Sequence, residues 1–257
     1  MKLGVVRTDE WLEKEIDRPW ELCRKAAPEH EDYYDFYRYL CQFGMYRRSR
    51  QAKNIFIQLK ATNVWNKIEQ LYTYYQKKWD GDNVDIFIFP MDHRNRRFIS
   101  ETKGKSGITF GDKMFLFLTE IESEKNLESL FIHEYHHVNR MKRLAKKASD
   151  YTLLDSLIFE GMAEHAVKEY CGEAYIASWC KEYPERELQY VWDRYFKHHI
   201  HISRMDRKHD DLLFGQRGLP KMIGYAIGYK LINDYKKKHS YKTKDHFGTD
   251  SSIFINE

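Results

Sequence analysis

The feature of this sequence that most constrains its fold is the segment His133-Glu134-Tyr135-His136-His137. Residues four apart lie on the same face of an α-helix, so His133 and His137 can direct both imidazoles at one point. An apolar stripe surrounds the segment at helical spacing and consists of Leu127, Leu130, Phe131, Val138, Met141 and Leu144. Glu134 falls on that stripe, where a buried carboxylate is costly without a partner. The pattern predicts a helix from about Asn126 to Lys147.

Two imidazoles at this spacing are typical of residues that share one zinc ion. Random placement of the histidines and glutamates gives roughly 0.05 such segments in a chain of this composition, so the match is informative. Glu134 is offset by one residue from His133 and can act as general base toward a metal-activated water. A catalytic zinc has three protein ligands and keeps one position open. The segment therefore predicts a zinc site whose third ligand lies elsewhere in the chain.

A second predicted helix contains the candidates for that third ligand. It begins near Ser149 or Asp150, both favourable N-cap residues, and ends before Gly172. Its apolar face includes two acids, in the order Leu153, Leu157, Glu160, Glu164 and Val167. Acidic side chains within an apolar stripe need a cation or strong hydrogen-bond donors. We therefore predict Glu160 as the third zinc ligand.

Glu164 follows Glu160 by one helical turn. We predict that it accepts a hydrogen bond from a ligand histidine, His133, and thereby selects the tautomer of that ring. Asp155 is the competing third ligand, because it lies about 140° around the helix from Glu160 and both cannot face one ion. The alternative is that Glu160 and Glu164 pair with lysines on a solvated face.

The hydrophobic pattern divides the chain into three zones of one unit, 1–257. Residues 1–82 show helical spacing, residues 83–240 hold a small sheet and the helices of the site, and residues 241–257 form a tail. β-Branched and aromatic runs separated by glycines predict a mainly antiparallel sheet with strands Val84–Phe89, Phe98–Thr102, Ile108–Phe110 and Met114–Leu118. A further helix is predicted to begin at Pro220. The fold class is therefore α+β, with the sheet before the histidine helix.

The motifs around these residues resemble those of known metallopeptidases. Glu160-Gly161-Met162-Ala163 resembles the E-G-x-A element of the gluzincins, the thermolysin and M1-aminopeptidase type, with Phe159 where asparagine is usual. Glu164 stands where thermolysin-type enzymes have aspartate. The chain also resembles a family of uncharacterised, predicted zinc-dependent proteases of Gram-positive bacteria in five segments: Ser106–Asp112, His133–His137, Leu153–Ser156, Glu160–His165 and Gly224–Tyr229.

The resemblance implies a mostly helical, zincin-like metallopeptidase fold and zinc-dependent hydrolysis of peptide bonds. Peptide hydrolysis needs a further donor for the tetrahedral oxyanion. Gluzincins often use a tyrosine or histidine for this purpose, which makes Tyr225 the first choice and Tyr229 the second. Gly224 and Gly228 lie beside them and leave room for a ligand or for a close helix. Other candidate donors are His198, His199 and His201.

In related folds an extended substrate pairs with an edge strand beside the active-site helix. Ile108–Phe110 and Met114–Leu118 are the two candidates for that strand, and the sequence does not distinguish them. The expected partner is a peptide or protein substrate.

Composition narrows the setting of this chemistry. The longest wholly apolar run is Met114–Leu118, whereas a membrane span needs about 20 residues, and the N-terminus is too charged for an export signal. We therefore expect a soluble, cytoplasmic protein with no membrane partner. Its four cysteines form no CxxC pair and are predicted to be reduced thiols. The net charge of +4 is small, so no nucleic-acid partner is expected.

Several alternatives stay open. The chain could be a non-catalytic protein of zincin fold that contacts nucleic acid or an acidic partner through the basic stretches Arg47–Arg50, Arg94–Arg97 and Lys236–His239. The zinc could be structural, with a fourth ligand such as His165 or a cysteine. The hydrolysed bond could be other than a peptide bond. The segment Ile253-Phe254-Ile255 could lie in the cleft and restrict access.

Overall fold

The structure is a computed structural model that describes residues 4–120 and 123–255. It confirms the α+β class, with many helices and one four-stranded sheet. The chain forms two compact units, one up to Val138 and the other from Asn139 onward. The boundary falls within helix α7 (Glu124–Leu144), which carries the histidine segment. The predicted helix from about Asn126 to Lys147 is therefore confirmed, with ends two to three residues earlier.

The first unit begins with a two-residue strand and five helices. They are β1 (Gly4–Val5), α1 (Thr8–Glu15), α2 (Pro19–Ala26), α3 (Tyr33–Gln42), α4 (Arg50–Ala61) and α5 (Val64–Trp79). All five helices lie within residues 1–82, and Asp80 ends α5 in a left-handed conformation with φ of 50°. β1 is too short for an alternating pattern, which is why the sequence does not reveal it.

The sheet contains β1, β2 (Asp85–Pro90), β3 (Lys105–Phe110) and β4 (Lys113–Leu118), in the order β1-β2-β4-β3. The prediction of a mainly antiparallel sheet is wrong: β1–β2 and β2–β4 are parallel, and only β3–β4 is antiparallel. A tight turn at Gly111 and Asp112 joins β3 to β4 and gives antiparallel pairing. Long segments that contain helices connect β1 to β2 and β2 to β4, and such connections permit parallel pairing. β4 lies between β2 and β3, so β3 is the edge strand of the two candidates.

One predicted strand, Phe98–Thr102, is a helix. It lies in α6 (Arg96–Thr102), whose N-cap residue Asn95 accepts a hydrogen bond from the backbone N–H of Phe98 at 3.0 Å. A capping side chain satisfies a free N–H of the first turn, and this outweighs the β-propensity of the aromatic and branched residues. The strand after it begins at Lys105, earlier than the predicted Ile108.

Five further helices belong to the second unit: α8 (Leu153–Cys171), α9 (Trp179–Glu182), α10 (Glu185–Val191), α11 (Arg207–Leu213) and α12 (Ile223–Lys238). α8 ends before Gly172 as predicted, but its N-cap is Thr152 and not Ser149 or Asp150. α12 begins three residues after Pro220, because Met222 is left-handed, with φ of 56°, and interrupts the helical conformation.

Glycines bring α8 and α12 into backbone contact. A Cβ atom at Gly161 would overlap the carbonyl oxygen of Gly228, and one at Gly228 would overlap that of Leu157. Likewise, a Cβ atom at Gly224 would lie 2.6 Å from the carbonyl oxygen of Leu213. Of the two uses predicted for Gly224 and Gly228, the structure shows the close helix approach.

The C-terminal segment is anchored by Arg140, which is fully buried on α7. Its guanidinium donates to the carbonyl oxygens of His246, Phe247 and Thr249 at 3.0 to 3.3 Å and to Ser251 Oγ at 3.0 Å. Phe254 packs into the apolar core that α8 and α12 share. Phe254, the central residue of the segment that could have lain in the cleft, is therefore part of the core of the second unit.

We expect Arg140→Met to lower the free energy of unfolding by about 3–5 kcal/mol, because it leaves several buried acceptors without their charged donor. The measurement is urea unfolding followed by circular dichroism. Lys142→Met is the matched control, since Lys142 is exposed on the same helix. A loss below about 1 kcal/mol for Arg140→Met would show that the anchor contributes little.

Among residues 4–120 and 123–255, no helix is both long and apolar enough to span a membrane. All four cysteines lie in the described residues and are not joined by disulfides.

Candidate metal centre

The two histidines of α7 approach each other closely. Their Nε2 atoms are 3.1 Å apart, and their ring centroids are 4.7 Å apart with the rings nearly perpendicular. Two ligands about 2.1 Å from one tetrahedral zinc ion lie about 3.4 Å from each other. The spacing of His133 and His137 therefore fits a shared ion. His136 is fully buried, with its ring edge-on to Trp79.

Glu160 of α8 joins this pair. One ligand atom from each of His133, His137 and Glu160 lies within 4.8 Å of the others. In the described part of the chain, no other group of three or more histidines, cysteines or acids has this spacing. Two imidazoles and one carboxylate are a donor set of catalytic zinc, which leaves a fourth position for water. The residues present therefore fit the metal that the sequence predicts.

Asp155, the competing ligand, has a different role. Its carboxylate completes a capping box with Thr152 and accepts hydrogen bonds from Lys146 Nζ at 2.9 Å and Ser251 Oγ at 2.6 Å. Burial raises the pKa of this carboxyl, but these hydrogen bonds outweigh burial and hold the pKa below its usual value. Asp155 thus stabilises the start of α8 and the C-terminal segment.

Glu164 is buried, as its place on the apolar face requires. One of its carboxylate oxygens accepts a hydrogen bond from the backbone N–H of Ala177 at 2.7 Å. The hydrogen bond predicted between Glu164 and His133 stays a prediction.

Glu134 is held against the edge strand. Its side chain is buried, and Thr109 Oγ1 of β3 donates to its Oε2 atom at 2.9 Å. A Cβ atom at Gly107 would lie 2.6 Å from the carboxyl carbon of Glu134, so a larger residue there would displace the Glu134 side chain. The two β3 residues share one face of the strand, because side chains alternate between faces. Neither role could be predicted from a local pattern, because Gly107 and Thr109 precede Glu134 by 27 and 25 residues.

Gly107→Ala is expected to reduce any hydrolysis that depends on Glu134 by about 100-fold, because a displacement near 1 Å is enough for such a loss. Zinc content should stay unchanged. Turnover and bound metal are measured on the same preparation, with Gly248→Ala as control, since a Cβ atom there meets only ordinary contacts. Full activity in Gly107→Ala would contradict the close packing of β3 on Glu134.

The predicted oxyanion donors lie on α12. The Tyr229 ring stacks on His165 with centroids 4.2 Å apart, and burial raises the pKa of Tyr229 although Lys168 opposes that shift. Tyr225 packs beside Trp179, with ring centroids 5.8 Å apart. Donation from Tyr225 or Tyr229 to an oxyanion stays a prediction.

His165 is one candidate for the fourth ligand of a structural zinc site. Its Nε2 lies 3.0 Å from the carbonyl oxygen of Tyr229, and its Nδ1 lies 3.4 Å from Lys236 Nζ. Burial, with the charge of Lys236, lowers the pKa of His165 to about 3, so the ring is neutral. Both nitrogens thus have partners, and the structure does not favour His165 as a zinc ligand. Among the other candidate donors, His199 contacts the Tyr195 carbonyl and Lys208.

The basic stretches contain several ion pairs with nearby acids. Those of the first unit are Arg47 and Arg94 with Asp92, Arg48 with Asp17, and Arg97 with Glu101. In the second unit, Lys237 pairs with Asp234 and Glu185. Exposed pairs of this kind are typical of solvated faces.

The fold and site together define an α+β protein with a His, His, Glu group that could hold a metal ion. Residues 64–256 match the family model described as "Predicted Zn-dependent protease (DUF2268)", and the chain belongs to this family. The resemblance to the family of predicted zinc-dependent proteases is thereby confirmed, whereas the gluzincin type stays a prediction.

Two proteins of Bacillus subtilis (strain 168) are similar to the chain. It is 34% identical to the uncharacterized protein YjaZ over 260 residues, and this alignment covers 98% of each of the two chains. It is 25% identical to the uncharacterized protein YjfC over 139 residues, and this alignment covers 51% of this chain and 46% of that protein. No solved structure matches the chain.

Proposed function

We propose that this protein is a zinc metallopeptidase of the gluzincin type, with His133, His137 and Glu160 as the metal ligands and Glu134 as the general base. The observation that carries the proposal is the convergence of the three ligand atoms within 4.8 Å. The family description supports zinc-dependent proteolysis as the activity.

Zinc, when bound by these residues, supplies Lewis-acid polarisation of a water molecule and of the substrate carbonyl. Glu134 takes the proton from the attacking water and delivers it to the leaving amine nitrogen. The Thr109 hydroxyl, which donates to Oε2, keeps the Glu134 carboxylate oriented. Burial of Glu134 excludes bulk water that would otherwise compete for its proton.

The substrate in this proposal is an extended peptide that pairs with β3. All six residues of β3 are half-buried, and β4 is the only strand beside it in the described sheet. The unpaired backbone groups of an edge strand are a template for one further strand. Tyr225 or Tyr229 would donate to the oxyanion, and Glu164 would orient a ligand histidine.

Metal removal tests the proposal. The purified protein is incubated with unfolded casein before and after chelation, and after return of one equivalent of zinc. We expect hydrolysis to disappear on chelation and to recover with zinc. Hydrolysis that survives complete removal of the metal would contradict the proposal, and a zinc-loaded protein that cleaves no peptide bond would favour a binding role or another substrate.

A further inference from the structure

We propose that a cavity beside the end of β3 is a substrate subsite that accepts an arginine or lysine side chain. The inference rests on the proposed function and extends it to substrate class. The cavity has a volume of about 360 Å³ and is lined by His30, Asp32, Asp35, Phe36, Tyr39 and Phe110. All six residues belong to the first unit, which also contains β3 and Glu134.

The position of the cavity follows from the alternation of β3. Gly107 and Thr109 face Glu134, so the next residue, Phe110, faces the opposite side of the sheet. There its ring lies 6.0 Å from that of Phe36 and 5.9 Å from that of Tyr39. A peptide paired with β3 alternates in the same way, so neighbouring side chains point to the Glu134 face and to the Phe110 face. A side chain on the second face would enter the cavity.

The walls of the cavity are aromatic. Phe36, Tyr39 and Phe110 form them, and the His30 ring stacks on Phe36 with centroids 4.2 Å apart. The aliphatic part of a lysine or arginine can cover such rings while its charged end stays in water. A cation over an aromatic face gains further attraction from the ring quadrupole.

The polar lining of the cavity is acidic. Asp32 caps α3 by accepting the backbone N–H of Asp35 at 2.9 Å. Asp35 pairs with Arg38, whose side chain is 75% exposed. Two carboxylates beside one exposed guanidinium leave a net negative charge that complements a basic side chain. Aromatic walls alone would favour an apolar side chain, so the acids set the predicted preference.

The first experiment measures cleavage by the zinc-loaded protein. Its substrates are peptides from one cleaved sequence, in which each position in turn is arginine, lysine, glutamine, leucine or glutamate. At one position close to the cleaved bond, we expect arginine and lysine to exceed glutamine in kcat/KM by about tenfold.

The double variant Asp32→Asn, Asp35→Asn should reduce that ratio to about threefold or less. Asparagine also caps helices, so the variant retains the start of α3. Asp32→Lys should shift the preference toward glutamate, and Asp17→Asn, an exposed acid of the same unit outside the cavity lining, should preserve the original ratio. Equal rates for arginine and glutamine, or a preference for leucine, would overturn the subsite.

The second experiment separates the subsite from the proposed reaction. Binding of the same peptides to the zinc-loaded Glu134→Gln variant is measured by fluorescence anisotropy. An arginine preference that disappears in the double variant, with no cleavage by the wild type, would overturn the peptidase and retain the subsite. Cleavage and binding without an arginine preference would overturn the subsite and retain the peptidase. If no peptide is bound or cleaved, both are wrong.

Discussion

Glu134→Gln is expected to abolish peptide hydrolysis while the protein retains its zinc. A carboxamide has nearly the same shape as the carboxylate but cannot take a proton from water at neutral pH. General-base catalysis contributes about 10²–10⁴-fold to such reactions, so turnover should fall by at least that range. The measurement pairs initial rates of peptide cleavage with metal content on one preparation.

The control for this variant is Glu124→Gln. Glu124 lies in the first turn of α7, and its side chain is 82% exposed. The Glu124→Gln variant removes one carboxylate from the same helix without touching the site. Its rates of peptide cleavage should equal those of the wild type. Undiminished hydrolysis by Glu134→Gln would refute the base assignment, whatever the metal content.

The second large effect concerns the third ligand. We expect Glu160→Ala to lose zinc. Loss of a residue that only hydrogen-bonds to a metal ligand typically lowers metal affinity by roughly 10–100-fold, so loss of a ligand itself should lower the affinity for zinc by more. Asp155→Ala should bind zinc as the wild type does. Its free energy of unfolding should fall by about 1–3 kcal/mol, because it removes a cap and the partners of Lys146 and Ser251.

Metal content of the three purified proteins checks this prediction, with competition against a chelator for the affinities. Thermal unfolding of the zinc-free forms separates loss of the ligand from loss of the fold. Zinc retained at full stoichiometry in Glu160→Ala, or lost only in Asp155→Ala, would show that the ligand set is wrong.

Much of the candidate site could be predicted because it is local. The spacing of His133 and His137 places both rings on one face of any helix, and the apolar residues around them predict that helix. The same reasoning identified Glu160 and Asp155 as alternatives on the next helix. It favoured Glu160, but it could not show what Asp155 does, because that depends on partners such as Lys146 and Ser251, which lie up to 96 residues away in sequence.

The two wrong predictions, a strand at Phe98–Thr102 and a mainly antiparallel sheet, also arise because local patterns omit distant or competing contacts. Phe98–Thr102 has the composition of a strand, but the cap at Asn95 stabilises a helix there. The direction of strand pairing depends on which strands become neighbours, and short β-runs contain no information about that. The same holds for Gly107, whose role appears only when β3 packs on Glu134.

The amino-acid sequence was enough to predict the α+β class, the helix that presents two imidazoles, the acid pair on the next helix and the family of the chain. These follow from helical periodicity and from motifs within a few residues of each other. The partners of Asp155, the place of β3 at the edge of the sheet and the contact of Thr109 with the predicted base became visible only in the folded chain. Each of those depends on groups distant in the chain competing for the same hydrogen bonds and space, which no local pattern records.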